Sequence, residues 1–157
     1  MFFFGTMLKA TQIGQQYTFN PSTGKFTTTP AFSTPAGFGF PGATPSVSSN
    51  GTSNGIVWAI DASNYGTNDN GVATAGPAIL HAYSATNLGT ELWNSSQGSG
   101  NTAGFAVKFT VPTVANGKVY MEIRRHDYAN GSGTVFGELD AYGFHSLRKP
   151  RGVHMPS

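Results

Sequence analysis

The sequence predicts an all-β protein built from repeated antiparallel sheets, and three observations lead to that prediction. Gly (21) and Pro (9) occur among long Ser, Thr and Asn stretches, a composition that suits short strands and many turns. Asn-Gly pairs at Asn50 and Asn116 stand between strand-like runs, which is the strongest short-range signal for a β-hairpin. Pieces of one segment recur along the chain, as they do in repeat proteins.

Composition and charge exclude several classes of protein. Charged residues make up 10% of the 157 residues, against roughly 25% in ordinary soluble domains, and this low-charge, Ser/Thr/Asn-rich character favours an extracytoplasmic location. The net charge of +2 is too diffuse for a nucleic-acid interface. The absence of cysteine excludes disulfides, cysteine-ligated zinc and thiol catalysis.

Neither a membrane span nor a signal peptide is predicted in this sequence. No apolar run reaches the roughly 20 residues that a membrane-spanning helix needs. The chain starts with the apolar trio Phe2–Phe4, which lacks the basic leader and the length of a signal peptide.

The predicted strands follow apolar and β-branched runs. Residues 105–113 alternate, with Phe105, Val107 and Phe109 on one side. Residues 30–42 are predicted as an extended connector that phenylalanines anchor to a core, and residues 144–157 as a disordered tail with a solvated basic cluster. In chain order, the main predicted strands span residues 6–10, 44–48, 56–60, 78–83, 91–93, 105–113, 119–123 and 135–142.

Two patterns recur and define a repeat. Leu80-His-Ala-Tyr83 returns as Leu139-Asp-Ala-Tyr142, and Thr44-Pro-Ser-Val47 with its following Asn-Gly returns as Val111-Pro-Thr-Val114 with the same pair. Each unit would contain a strand, an Asn-Gly turn, an aromatic strand, a long loop, a Leu-x-Ala-Tyr strand, a turn and a closing strand. Four antiparallel strands per unit correspond to one blade of a β-propeller.

The same residues resemble a known family, the quinoprotein-type β-propellers with the pyrroloquinoline-quinone-like (PQQ-like) repeat. In that repeat a Gly and a Trp close the blade, as in Leu80-x-Ala-Tyr83-x-Ala-Thr-x-x-Gly89-x-x-Leu-Trp93. The segment Val111–Tyr120 is similar to the two inner strands of such blades, and the likeness is greatest to the C-terminal blades of bacterial secreted propellers. The resemblance implies structural blade-motif positions at Leu80, Ala82, Tyr83, Gly89, Trp93, Leu139, Ala141 and Tyr142.

The sequence also departs from the family pattern. Ser84 stands where the family usually has Asp, and the last unit stops at Tyr142-Gly143 without a Trp. The chain would hold about two to two and a half blades, whereas a closed ring needs four to eight. The expected partners are therefore the missing blades of the same parent protein or a second copy. The predicted units are the end of a preceding blade at 1–36, a complete blade at 37–100 and most of a further blade at 101–143.

Several side chains were weighed for chemistry against a structural role. His81 lies mid-strand and should point away from Leu80 and Ala82, and a structural histidine is favoured there over a metal ligand or an acid–base group. Trp58 and Trp93 are predicted to pack in the interior rather than to stack on a ligand.

Two oxygen-rich segments have a possible functional interpretation, and the structural one is favoured in both. Residues 68–71, Asn-Asp-Asn-Gly, resemble part of a calcium loop but lack its first-position Asp and its twelfth-position Glu. Glu138 and Asp140 share one face of a strand, where an exposed face is favoured over paired acid–base catalysis.

Three functions remain open from the sequence. The preferred hypothesis is a non-catalytic propeller fragment that acts as a scaffold or binding module of a larger extracytoplasmic protein, with no catalytic residue, metal ligand or cofactor assigned. The first alternative is a fragment of a PQQ-dependent oxidoreductase, whose full-length parent would bind PQQ with calcium. The second is a carbohydrate-binding β-sandwich that uses Trp58 or Trp93 as a stacking platform.

Overall fold

The computed structural model describes residues 1–4, 12–66, 76–98, 100–126, 134–143 and 152–153, and for 125–126, 134–143 and 152–153 it describes the backbone alone. Its regular elements are all strands, so the predicted all-β class is confirmed. The strands form several small antiparallel sheets, and no sheet in the described part of the chain closes on itself. These ranges contain no helix long and apolar enough to cross a membrane.

The first sheet contains three strands in the order β1-β2-β5. They are β1 (Phe2–Phe3), β2 (Gln12–Gln16) and β5 (Phe32–Phe38). The prediction of a connector over 30–42 is therefore wrong for β5, which pairs with β2 in a ladder that includes Gln12 opposite Phe38. Pairing with β2 overrides the low strand propensity that Pro35 and Gly37 give this segment. Phe38 is buried, as an anchoring phenylalanine should be.

A small hairpin lies between β2 and β5. It consists of β3 (Phe19–Asn20) and β4 (Lys25–Phe26), joined by a turn in which Gly24 has a φ of 66°. A left-handed backbone of this kind favours glycine. Phe19 and Phe26 contact each other across the hairpin at 5.1 Å between ring centroids, and both are largely exposed.

The central sheet is a four-stranded meander with the order β6-β7-β8-β9. Its strands are β6 (Ser46–Asn50), β7 (Ser53–Asp61), β8 (Ile79–Ser84) and β9 (Glu91–Asn94). The four strands predicted at 44–48, 56–60, 78–83 and 91–93 are confirmed to within a few residues. The predicted hairpin at Asn50-Gly51 is confirmed by pairing of Asn50 with Ser53, and Gly51 has a φ of 58°.

The third sheet repeats this arrangement with the order β10-β11-β12-β13. Its strands are β10 (Thr113–Ala115), β11 (Lys118–His126), β12 (Thr134–Gly143) and β13 (Gly152–Val153). Asn116 and Gly117 form the turn between β10 and β11 with φ of 50° and 70°, the positive values of a two-residue type I′ hairpin. The short strand β13 lies inside the predicted tail 144–157, whose other residues are outside the described ranges.

The strand predicted over residues 105–113 is wrong for most of its length. Phe105 makes isolated bridges to Pro77 and Arg124, and strand structure resumes only at Thr113. Phe109 has a φ of 65° and is 77% exposed. A left-handed residue interrupts the extended backbone that a strand needs, so the alternation of residues 105–111 does not correspond to a strand. The segment instead joins the edges of the central and third sheets.

The three sheets pack face to face, and the central sheet is covered on both sides. On one side, its Trp58, Ile60 and Leu80 pack with Met121 and Ile123 of the third sheet. On the other side, apolar residues of the central sheet pack with the first sheet in a cluster made of Phe4, Phe38, Val57, Ala59, Tyr83 and Leu88. The core therefore consists of two layers of side chains with the central sheet between them.

Candidate functional site

The predicted blade-motif positions divide between the two faces of the central sheet. Leu80 and Ala82 are buried toward the third sheet, where Trp93 packs as a half-buried side chain. Tyr83 is buried toward the first sheet, and Gly89 is exposed in the turn between β8 and β9. The other three positions lie in β12, where only the backbone is described: Leu139, Ala141 and Tyr142. Their roles as a blade motif stay a prediction.

His81 is buried on the face that the sequence predicts, opposite Leu80 and Ala82. Its Nδ1 lies 2.5 Å from Oε1 of Glu91, and the imidazole is 5% exposed. The ring stacks on Tyr83 at 5.6 Å and meets the edge of Phe38 at 5.5 Å between centroids. Its Nε2 is buried without a hydrogen-bond partner. Because the ring is enclosed by aromatic side chains, the His81–Glu91 pair has the geometry of a structural contact.

Tyr83 shares this enclosed environment. Its hydroxyl is buried without a hydrogen-bond partner. Burial, together with the negative charges of Glu91 and Asp61, raises the pKa of the Tyr83 phenol well above its ordinary value of 10.0. The phenol therefore stays protonated at any physiological pH.

A small pocket opens at one end of the central sheet. It lies between the connector Pro41–Thr44, the end of β7 at Ile60 and Ala62, and the segment 107–110, and its volume is about 130 Å³. Polar and apolar atoms contribute about equally to its walls. Thr110 lines the pocket, and the hydroxyl of this residue is buried without a hydrogen-bond partner among the described residues. A buried hydroxyl without a partner is costly.

Aromatic rings and cations stand beside this pocket. Nζ of Lys108 lies 5.0 Å from the ring centroid of Phe40 and 4.7 Å from that of Tyr65. Cζ of Arg124 lies 4.8 Å from the same Tyr65 ring. Phe109 contacts the edge of Phe40 at 6.3 Å between centroids. We call these five side chains the rim cluster.

The two cations of the rim cluster have no carboxylate partner among the described residues. The ion pair found in those residues joins His81 to Glu91. Arg124 is 1% exposed; its Nη2 donates to the Gly66 carbonyl at 3.3 Å, and its Nε has no hydrogen-bond partner. Cation–π contacts are worth roughly 0.5–2 kcal/mol each and only partly compensate for burying a guanidinium. Within the described residues, the rim cluster therefore combines two cations with three aromatic rings.

Trp58 and the metal-ligand candidates of the sequence lie away from the rim cluster or outside the described residues. Trp58 is 6% exposed, and its indole N–H donates to Ser48 at 2.9 Å, which confirms it as a core residue. In the described part of the chain, no group of three His, Asp or Glu side chains could hold a metal ion. Residues 68–71 and the side chains of Glu138 and Asp140 lie outside what is described.

The rim cluster was missed by reasoning from the sequence. Its members come from four segments, at 40, at 65, at 108–109 and at 124, and the folded chain alone brings them together. The available signals were Lys108 beside Phe109 and a phenylalanine-rich connector, and the connector was interpreted as an anchor to the core.

No protein-family profile matches the chain, and comparisons with curated proteins and with solved structures find no match either.

Proposed function

We propose that this chain is a non-catalytic, propeller-like fragment that acts as a scaffold or binding module of a larger extracytoplasmic protein. The observation that supports it most is the central sheet, which is covered on both faces by other sheets. Face-to-face stacking of four-stranded meanders is how neighbouring blades of a β-propeller bury their apolar sides. The resemblance of Leu80–Trp93 to the PQQ-like repeat agrees with this arrangement.

The alternative of a β-sandwich is less well supported. A sandwich has two sheets, each with one buried and one solvated face. In β7, the five residues from Ile56 to Ile60 are all buried, which leaves no solvated face. The proposed stacking roles of Trp58 and Trp93 also lack support, because Trp58 is buried and Trp93 packs against the apolar cluster.

The outer face of the first sheet supports the proposal that this chain packs against a further sheet. Its inner face packs on the central sheet, while Phe3 is 54% and Ile13 is 45% exposed. Phe3 pairs with Gln15 in the β1–β2 ladder, and Gly14 between Ile13 and Gln15 faces Phe4 on the inner side. Phe3 and Ile13 therefore lie on the outer face. We infer that this face packs against a sheet of the missing blades, or against a second copy of the chain.

The experiment is a test of self-association. The full chain should show a mass that rises with protein concentration in light scattering, and Ile13→Asp should shift it toward the monomer. Val111→Asp is the matched control, because Val111 is 47% exposed but lies on a connector of the third sheet. A chain that stays monomeric at every concentration would exclude a second copy as the partner and leave only the missing blades. A chain that associates while Ile13→Asp and Val111→Asp behave alike would contradict the role of the outer face.

The quinone alternative can be tested on the same material. Adding PQQ and calcium to the full chain should produce no bound cofactor absorbance after gel filtration. Stoichiometric absorbance that co-elutes with the protein would replace the scaffold proposal with a fragment of a quinone-dependent oxidoreductase.

A further inference from the structure

We propose that the pocket beside the rim cluster binds a small carboxylate that carries one apolar group, such as a single aromatic ring or a branched alkyl chain. The apolar group would enter the pocket, and the carboxylate would face Lys108 at its mouth. This site lies within one chain, so the proposal does not depend on the chain being part of a propeller.

The size and walls of the pocket define the apolar part of the ligand. Its volume of about 130 Å³ is close to that of the cavity of about 150 Å³ that accepts benzene in an engineered protein. Ile60, Ala62, Val107 and Phe109 contribute to its walls. A single ring therefore fits, whereas a drug-sized ligand needs a pocket of roughly 300 Å³ or more.

The charge of Lys108, which neighbours the wall residues Val107 and Phe109 in the chain, defines the polar part of the ligand. Lys108 follows the wall residue Val107 in the chain, and its ammonium group lies over Phe40, which precedes the wall residue Pro41. Arg124 carries a second positive charge, and its guanidinium contacts the ring of Tyr65 in the rim cluster. Neither cation is neutralised by a carboxylate of the described residues. An anionic group is therefore the complementary one.

Thr110 supplies a further polar contact. Thr110 lines the pocket, and its Oγ1 is buried without a hydrogen-bond partner among the described residues. A hydroxyl can donate to an oxygen of the ligand and so gain the bond that it lacks. Lys108 and Thr110 flank Phe109, whose left-handed backbone (φ 65°) is uncommon for a bulky residue. Backbone strain of this kind is concentrated at binding sites.

The test compares phenylacetate with its neutral analogue phenylacetamide, titrated into the full chain and followed by amide chemical shifts. Phenylacetate should bind at millimolar Kd or better, perturb the amides of residues 41–44 and 107–110, and bind about fivefold more tightly than phenylacetamide. Added salt should narrow that difference, because the mouth is accessible to ions.

Two variants test separately how much the Lys108 charge and the Thr110 hydroxyl contribute to binding. Lys108→Gln should remove the preference for the carboxylate, while Thr110→Val should weaken both ligands about threefold. Lys25→Gln, at an exposed hairpin position, is the matched control and should change neither Kd. Equal affinity of wild type for the two ligands, shifts confined to other residues, or no binding at 20 mM phenylacetate would each overturn the proposal, and these wild-type results need no variant to fold.

Discussion

The central sheet and the first sheet share a packed interface, yet they bury their residues in different patterns. In β7 of the central sheet, five consecutive residues are buried, so both faces are covered. In β2 of the first sheet, Gly14 is the buried residue, and its neighbour Ile13 is 45% exposed. A continuous apolar run thus corresponds to a sheet between two others, and an interrupted one to a sheet at the end of the stack.

The two sheets contribute differently to the stability of the molecule and to the surface that it leaves open to a partner. The central sheet contributes to both core clusters and stabilises the fold on each side. The first sheet contributes to only one of them, so its outer face is available to a partner. Substitutions in the two sheets should therefore change stability by different amounts.

The largest effect should come from truncation in the central sheet. Leu80 is fully buried, and Leu80→Ala should lower the free energy of unfolding by about 3 kcal/mol, since it removes apolar contacts and leaves a cavity. Ile13→Ala, on the open face of the first sheet, should cost less than about 1 kcal/mol. Urea denaturation followed by tryptophan fluorescence measures both.

Equal costs for the two truncations would contradict the comparison, because they would place Ile13 in a covered layer. If Leu80→Ala prevents folding, Ile60→Val provides the same test at a smaller scale. Ile60 is 3% exposed, and its loss of one methylene should cost about 1 kcal/mol.

The second prediction concerns the inner face of the first sheet, which should be as tightly packed as the central sheet. A Cβ added at Gly14 would lie 2.5 Å from Cε1 of Phe4, a buried ring. Gly14→Ala should therefore destabilise the fold by about 2 kcal/mol through overpacking. The same denaturation experiment measures it.

Gly100→Ala is the control for this substitution, since a Cβ at Gly100 meets nothing within 4 Å. Its free energy of unfolding should stay within about 0.5 kcal/mol of wild type. If Gly14→Ala leaves the free energy of unfolding unchanged, the Phe4 ring must move aside freely. The inner face of the first sheet would then be packed less tightly than the central sheet.

Much of this organisation could be predicted from local sequence. The run from Ile56 to Ile60 and the turn at Asn116-Gly117 are encoded by neighbouring residues, through burial and through the left-handed backbone that the turn requires. The strand β5 could not be predicted, because Pro35 argues against a strand and only pairing with β2 overrides it. Stacking of sheets is decided by tertiary contacts rather than by any one segment.

The candidate site was less accessible to sequence reasoning than the fold. The regular alternation around Phe109 predicts a strand, whereas the residue adopts a left-handed conformation and lies at the mouth of a pocket. Tyr65 and Arg124 are far apart in the chain, and no local signal links them to Lys108. His81 shows the opposite case, since alternation along β8 placed its ring correctly while its Glu91 partner required the structure.

The smallest predicted effect depends on pH and tests how dry the interface between the two sheets is. The pKa of Tyr83 is raised above its ordinary value of 10.0 in the folded chain, mainly by burial. Above that pH the unfolded chain releases the phenolic proton while the folded chain retains it, so stability falls as pH rises. Tyr83→Phe cannot ionise, so its free energy of unfolding should fall less as pH rises. One pH unit above the ordinary pKa of Tyr, the Tyr83 contribution to the fall in wild type amounts to about 1 kcal/mol.

At about pH 6 to 8 the phenol is protonated in both states, so the difference between Tyr83→Phe and wild type should be constant there. Tyr83→Phe should also be slightly more stable than wild type in this range, because the substitution removes a buried hydroxyl that has no partner among the described residues. If wild type and variant instead lose stability in parallel above pH 10, Tyr83 must ionise as readily in the folded chain as in the unfolded one. Water would then reach the layer between the first and central sheets, and the face that we describe as covered would be open like the outer face of the first sheet.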